Sequence, residues 1–187
     1  MYGMINDAIK TMVTEVMGAT AWEKIQKKVL APADFERMGT YDDALTYNLV
    51  GAVSEMSGQK PEAILEAFGR FWIQYASKTA YGPIIRMFGE NFKECVTNLD
   101  QMHLKMGAMM PGMRAPQFSV IETNGSEFTV RYRSTRAGLS PMVKGLIEGL
   151  GIYFEQNVKV GPAKMSSATN LPEGMVEEST FLVQVLD

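Results

Sequence analysis

The chain has 187 residues, of which 46% are hydrophobic and 21% charged, a balance typical of a globular protein with one sizeable core. The net charge of −3 argues against a nucleic-acid-binding protein and against a polybasic membrane anchor. Cys95 is the single cysteine, which rules out an intrachain disulfide and argues against a cysteine-based metal cluster.

The N-terminal region has neither of the patterns that direct a chain to a membrane. Asp7 lies where a signal peptide would have its apolar run, and no stretch reaches the length of a membrane span. We therefore expect a cytoplasmic protein.

Residues 1–110 have the apolar spacing of helices. In the first segment Ile5, Ile9 and Met12 recur near i, i+4 and i+7. Further helices are expected over 21–29, after the acidic pair at 42–43, from Pro61 onward, and from Phe92 to about Met106, with a chain break at Gly82-Pro83. The last of these helices would carry His103, the only histidine in the chain.

Residues 111–187 change to strand patterns after a helix-breaking connector that starts at Met110 and ends at Pro116. Asn124-Gly125 predicts a hairpin, and Ser140-Pro141 predicts an N-cap followed by a helix. The expected strands are 118–121, 128–132, 158–164 and 180–186, with a polar loop over 170–174. We predict one α+β domain, a helical part (1–110) followed by a four-stranded antiparallel sheet with an inserted helix (111–187).

Polar side chains follow apolar ones along the second expected strand. Since residues two apart in a strand point to the same side, Tyr132, Ser134 and Arg136 should share one face, continued upstream by Phe128 and Val130. Two hydroxyls and a guanidinium suit carboxylates, so the stripe fits a ligand with an apolar body and acidic tails. A solvent-exposed arginine beside a half-buried tyrosine would give the same pattern.

His103 is expected to point from its helix into an apolar space. Leu99, Met102 and Met106 lie at i−4, i−1 and i+3. A hydrogen-bonded core histidine is one interpretation, and a metal ligand is the other. Zinc would need three or four protein ligands, whereas haem iron needs only one axial imidazole because the four pyrrole nitrogens occupy the positions in the porphyrin plane.

Large apolar side chains form a third group, and none of them is an acid, a base or a nucleophile. The group consists of Ile9, Phe71, Trp72, Met142 and Leu146. Ordinary core packing explains these residues equally well, and the 15 methionines fit either a core or the wall of a cavity.

Taken together, these motifs resemble the haem-nitric oxide/oxygen binding (H-NOX) family over essentially the whole chain. The resemblance rests on His103, on the motif Tyr132-x-Ser134-x-Arg136, and on their order among the expected elements. Further matching segments are Met1-Tyr2-Gly3, Ala21-Trp22-Glu23, Ala67-Phe68-Gly69, Asn98-Leu99-Asp100, Gly138-Leu139 and residues 145–149. The chain is similar to the stand-alone bacterial domains and to the sensor domain of the soluble guanylate cyclase β subunit.

The resemblance implies a haem b (iron protoporphyrin IX) site between the two parts of the domain. His103 would be the proximal iron ligand, and Tyr132, Ser134 and Arg136 would bind the haem propionates. Pro116 would pack against the porphyrin and help to bend it. The residues implied on the distal side are Ile9, Trp72 and Met142, with Leu146 also against the haem.

The distal residues favour nitric oxide over oxygen as the sensed gas. Met142 takes the place of the tyrosine found in oxygen-holding members, and Pro141, which a one-residue shift would put there, also lacks a hydroxyl. The indole of Trp72 remains as a donor. Loss of one hydrogen bond to bound oxygen costs about 1–3 kcal/mol, or roughly ten- to a hundredfold in affinity.

Signalling is expected to follow from release of His103 when nitric oxide binds, which would free its helix and relax the haem. The family implies a separate partner, a histidine kinase or a cyclic-di-nucleotide enzyme. We expect no zinc site and no catalytic residues, since Cys95 is isolated and no triad or paired-carboxylate motif is present. The alternatives are an oxygen- or carbon monoxide-binding protein, a store of nitric oxide, or a haem-free ligand-binding or interaction domain.

Overall fold

A computed structural model of the chain describes residues 1–166 and 171–186. The helices are α1 (Gly3–Met17), α2 (Ala19–Val29), α3 (Asp43–Ser57), α4 (Pro61–Ser77), α5 (Gly82–Met87), α6 (Phe92–Thr97), α7 (Leu99–Met109) and α8 (Ser140–Tyr153). The strands are β1 (Gln117–Asn124), β2 (Glu127–Ser134), β3 (Val158–Val160), β4 (Lys164–Met165) and β5 (Glu177–Val185). Helices come first and an antiparallel sheet with one inserted helix follows, which confirms the predicted α+β class.

The chain separates into two compact units, Met1–Phe68 and Gly69–Asp187. The first unit contains α1 to α3 and the beginning of α4, and its core includes Ile9, Ile25 and Leu49, none of them more than 2% exposed. The predicted acidic start of α3 is confirmed, because the Asp42 side chain accepts a hydrogen bond from the backbone N–H of Ala44 (2.8 Å).

The second unit is built around the sheet. Its strands follow the order β1-β2-β5-β3 with antiparallel pairing throughout, and β4 also pairs with β5. Alternate residues of β2 are buried, as the period of a strand requires. Phe128 and Val130 point inward with Phe181 of β5, and Ile147 of α8 belongs to the same core. This core sets the positions of the second unit's predicted site residues.

Among residues 1–166 and 171–186 the sheet has five strands, where four were predicted for the chain. The expected strand 158–164 is interrupted after Val160, and pairing to β5 resumes only at Lys164. Pro162 lies in this interruption, and proline is uncommon within strands. The last strand begins at Glu177 rather than Thr180. Asn170, the first residue of the predicted polar loop, lies outside the described residues.

The helix predicted from Phe92 to about Met106 is two helices, α6 and α7, divided at Asn98. The Asn98 side chain donates to the backbone carbonyl of Phe88 at 2.9 Å, which ties the junction to the segment before α6. The preceding helix α4 already ends at Ser77, and Gly82-Pro83, the predicted chain break, instead opens the short helix α5 with proline in its first turn.

Two turn signals are displaced by one residue from their predicted positions. The hairpin loop is Gly125-Ser126, because Asn124 still pairs with Glu127, and Gly125 supplies the positive φ of 60° that the turn needs. Helix α8 starts at Ser140 itself, with Leu139 as the residue before it, so Ser140 is not an N-cap.

The helical run ends with α7 at Met109 and the first strand starts at Gln117, with the predicted connector between them. The division of the domain into parts 1–110 and 111–187 stays a prediction. Within the described ranges, no helix is both long enough and apolar enough to cross a membrane.

Candidate functional site

His103 lies half-buried on α7 and is held by its own helix. Its Nδ1 is 2.7 Å from the backbone carbonyl oxygen of Leu99, one turn earlier. A carbonyl can only accept, so Nδ1 carries the hydrogen and Nε2 carries the lone pair. Burial lowers the pKa of His103, outweighing the Leu99 hydrogen bond and the nearby Asp100 carboxylate, which raise it. The neutral ring with a defined tautomer is the form in which histidine binds metals.

Phe118 lies between His103 and Tyr132. The rings of His103 and Phe118 are stacked with centroids 5.2 Å apart, and Phe118 and Tyr132 are 5.4 Å apart. Phe118 and Tyr132 are also direct partners across β1 and β2. The Asp100 carboxylate accepts a hydrogen bond from the backbone N–H of Phe118 at 3.0 Å. Helix α7 is therefore tied to the sheet beside His103.

The predicted polar stripe lies at the end of β2. Tyr132 and Ser134 are 2% and 4% exposed, respectively, and occupy inward-facing positions of the strand. The strand ends at Ser134, so Arg136 does not share its inward face as predicted but lies in the bend that follows. Arg136 is held by hydrogen bonds instead, from its backbone N–H to Ser134 Oγ (2.9 Å) and from Nη1 to the Arg114 carbonyl (2.9 Å).

Pro116 belongs to the connector that meets Arg136. It is half-buried, two residues after Arg114 and two before Phe118, whose ring contacts His103. The connector thus joins the Arg136 end of the site to the His103 end.

Met142, predicted on the distal side, and Leu146, predicted against the haem, lie where α4 approaches α8. A Cβ on Gly69 would lie 2.1 Å from the Met142 carbonyl oxygen and 2.7 Å from Leu146 N, so only glycine permits this approach. Trp72 follows Gly69 by one turn of α4, and its ring stacks on Tyr75 with centroids 5.9 Å apart. Ile9 is buried in the first unit.

One hydrophobic cluster connects both sets of residues in the second unit. Phe118 and Tyr132 are among its buried members, and the half-buried Trp72 and Leu146 pack against it. In this region of the second unit, the His103 ring stacks on Phe118 of the cluster, Tyr132 and Ser134 are buried on β2, and the Arg136 guanidinium lies just beyond the strand. Such a region suits a flat apolar ligand with acidic groups at one end.

Two residues of this region, Asp100 and Glu177, were not predicted as site residues. Asp100 belongs to a segment that resembles the family, but its hydrogen bond to the backbone of Phe118 has no sequence signature. Glu177 had a usable signal, because it is in phase with Ser179, Phe181 and Val183 on the buried face of β5. An acidic residue in the buried phase of a strand indicates a polar partner inside the fold.

Cys95 is 1% exposed on α6, and burial raises the pKa of its thiol to about 11. Its Sγ faces the Ile85 carbonyl oxygen at 3.9 Å. Cys95 is therefore a small buried residue on the helix before the one that carries His103.

Comparison with known proteins identifies the family. Residues 2–161 match the family described as Haem-NO-binding. Soluble guanylate cyclase gcy-35 of Caenorhabditis elegans is 28% identical over the whole chain, and soluble guanylate cyclase 89Da of Drosophila melanogaster is 27% identical over 78% of it. The chain spans 28% and 22% of the lengths of these two cyclases, respectively.

Solved structures share the fold. An H-NOX protein from S. oneidensis in the Fe(II)NO ligation state superposes with a TM-score of 0.84 at 19% identity, covering all of both chains. An oxygen-binding H-NOX domain related to soluble guanylate cyclases, solved as its oxygen complex, has a TM-score of 0.82 at 19% identity and covers all of this chain and 96% of the other. With the family match, this shows that the chain belongs to the Haem-NO-binding (H-NOX) family of haem-binding gas-sensing domains, and that the domain is a sensor rather than an enzyme.

Proposed function

We propose that this domain binds haem b through His103 and senses nitric oxide in preference to oxygen. The proposal rests chiefly on the Leu99 carbonyl, which holds the His103 proton on Nδ1 and leaves the Nε2 lone pair for iron. The lowered pKa of the ring keeps it neutral at pH 7, as a ligand must be. Haem held by His103 would supply a ferrous iron that can bind a diatomic gas.

The other end of the site fits the two propionates. Tyr132 and Ser134 are buried hydroxyls on the inward face of β2, and Arg136 is anchored beside them by the Ser134 side chain. Hydroxyls and a guanidinium donate to carboxylates, and the guanidinium remains charged at all working pH values. Pro116 would pack against the porphyrin from the connector, and Leu146 and Trp72 would contribute apolar surface.

Selectivity would come from the gas side of the haem. Met142 offers no hydroxyl to a bound oxygen molecule, which carries partial negative charge and gains about 1–3 kcal/mol from one good donor. Nitric oxide needs no such donor to bind tightly. The expected penalty for oxygen is roughly ten- to a hundredfold in affinity.

Output would begin at α7. If His103 were released, its imidazole would keep its hydrogen bond to Leu99 of the same helix, and Asp100 would still tie α7 to Phe118. The helix could then shift about that remaining tie, which makes it the two-state element that signalling requires. We propose that a separate cytoplasmic histidine kinase or cyclic-di-nucleotide enzyme reads this change.

The first experiment tests the role of His103. Wild-type protein reconstituted with haem should give five-coordinate ferrous haem, whereas His103→Gly should lose the haem and regain it when imidazole is added. Protein that stays colourless after reconstitution would contradict haem binding, and unchanged ferrous haem in His103→Gly would contradict the role of this residue.

The second experiment tests gas selectivity with a matched pair. Met142→Tyr introduces a hydroxyl, and Met142→Phe introduces the same ring without it. Only Met142→Tyr should raise oxygen affinity, by roughly ten- to a hundredfold for one hydrogen bond. A stable oxygen complex of the wild-type protein in air would refute selectivity for nitric oxide.

A further inference from the structure

A buried carboxylate joins the strand that carries Tyr132 and Ser134 to the helix that carries Met142. Glu177 is 3% exposed and lies directly opposite Ser134 in the pairing of β2 with β5. Its side chain reaches the start of α8 at Ser140, 37 residues earlier in the chain. The residues between β2 and α8 form a bend rather than a regular element, so their geometry depends on such contacts.

Both carboxylate oxygens of Glu177 are used. Oε1 accepts from the backbone N–H of Ser140 (2.9 Å) and from the Ser140 hydroxyl, and Oε2 accepts from the backbone N–H of Gly138. The hydroxyls of Ser140 and Ser179 are 2.9 Å apart. Because α8 lacks a side-chain cap from Leu139, Glu177 supplies the acceptor that the first N–H of the helix needs.

We propose that Glu177 is a positioning residue for gas binding, which sets the first turn of α8 relative to the end of β2. Met142 is two residues after Ser140 in that turn, and Arg136 is two residues before Gly138. The carboxylate therefore controls the spacing between the distal side chain and the propionate anchor. This inference rests on the proposed haem site.

The test uses Glu177→Gln, because glutamine keeps the shape of the side chain and changes its hydrogen bonding. Its carbonyl oxygen retains the Ser140 donors, but its NH₂ then faces the N–H of Gly138, where two donors cannot bond. Glu178→Gln is the matched control. Glu178 is the next residue, and it pairs with Arg133 and Ser166 on the outward side of the strand.

Haem-loaded proteins are compared with carbon monoxide as the probe. Glu177→Gln should shift the C–O stretching frequency and accelerate transfer of haem to an acceptor protein about tenfold, the effect of losing one hydrogen bond to a charged group. The iron–histidine stretch should stay unchanged, because His103 lies on α7. Glu178→Gln should match the wild type in all three measurements.

The possible results separate this inference from the proposed function. Haem-loaded Glu177→Gln that matches the wild type in C–O frequency and haem transfer would overturn the inference alone. Wild-type protein that takes up no haem would overturn the proposed function and this inference with it. If Glu177→Gln does not fold, Ser140→Ala removes only the hydroxyl donor, and a smaller shift of the C–O frequency is then expected. No shift in that variant would overturn the inference.

Discussion

The close approach of α4 to α8 predicts that Gly69→Ala is strongly unfavourable. The added Cβ would lie 2.1 Å from the Met142 carbonyl oxygen, 2.7 Å from Leu146 N and 2.9 Å from the Gly145 carbonyl carbon. All three are backbone atoms, so no side-chain rotation relieves the overlap. Ordinary contact needs about 3.4 Å or more, so the two helices must separate by roughly an ångström. Overpacking of this kind lowers the free energy of unfolding by about 1–3 kcal/mol or more.

Urea denaturation and thermal unfolding measure this cost. For a chain of this length 1 kcal/mol corresponds to about 2–4 °C, so Tm should fall by roughly 2–12 °C. Since Met142 and Leu146 move with α8, the gas-binding spectrum of the haem-loaded protein should change as well. Gly51→Ala is the control, because that helical glycine has no heavy atom within 4 Å of an added Cβ and should become about 0.5–1 kcal/mol more stable. Gly69→Ala protein as stable as the wild type would refute the close approach.

Three further predictions concern single side chains. Arg136→Ala should accelerate haem loss roughly tenfold, because it removes a charged donor to the propionates. Arg133→Ala is the control and should not change the rate, because the Arg133 guanidinium pairs with Glu178 on the outward face. Equal rates of haem loss in the two variants would contradict the propionate role of Arg136. Asp100→Ala should lower the free energy of unfolding by about 1–3 kcal/mol in urea titrations, since the N–H of Phe118 loses its acceptor, and Asp100→Asn, which keeps one oxygen, should lose less. Burial raises the pKa of the Cys95 thiol from 9.0 to about 11, so the unfolded chain releases this proton first as pH rises. The free energy of unfolding should therefore fall between about pH 9 and 11, by up to about 1.4 kcal/mol per pH unit relative to Cys95→Ala. Parallel curves of unfolding free energy against pH for the two proteins would contradict this.

Local patterns predicted much of the fold because they are properties of the backbone itself. Strand alternation put Tyr132 and Ser134 on the inward face, and Pro61 marked the start of α4. The break at Asn98 could not be predicted in the same way, because it involves the carbonyl of Phe88, ten residues earlier. Pro162 did carry a signal against the long third strand, because proline is uncommon within strands.

In the candidate site, too, local features could be predicted from the sequence and contacts between distant segments could not. The residues proposed to touch haem were all named from the sequence, because motif and strand period are local. Arg136 is the exception in its geometry, since the strand ends before it and hydrogen bonds to Ser134 and the Arg114 carbonyl hold it. The residues that support the site, Asp100 and Glu177, act through partners 18 to 39 positions away.

The sequence by itself determined the family, the α+β order and the chemical types of the proposed ligands. These follow from residue identity and from periodicities of two and 3.6, which every segment carries alone. Only the tertiary structure decided that Phe118 lies between His103 and Tyr132. It also decided that the backbone of α8 approaches Gly69 closely and that Glu177 hydrogen-bonds to the first residue of that helix. Those contacts join distant segments, and they exist only because burying the shared apolar core brings the segments together.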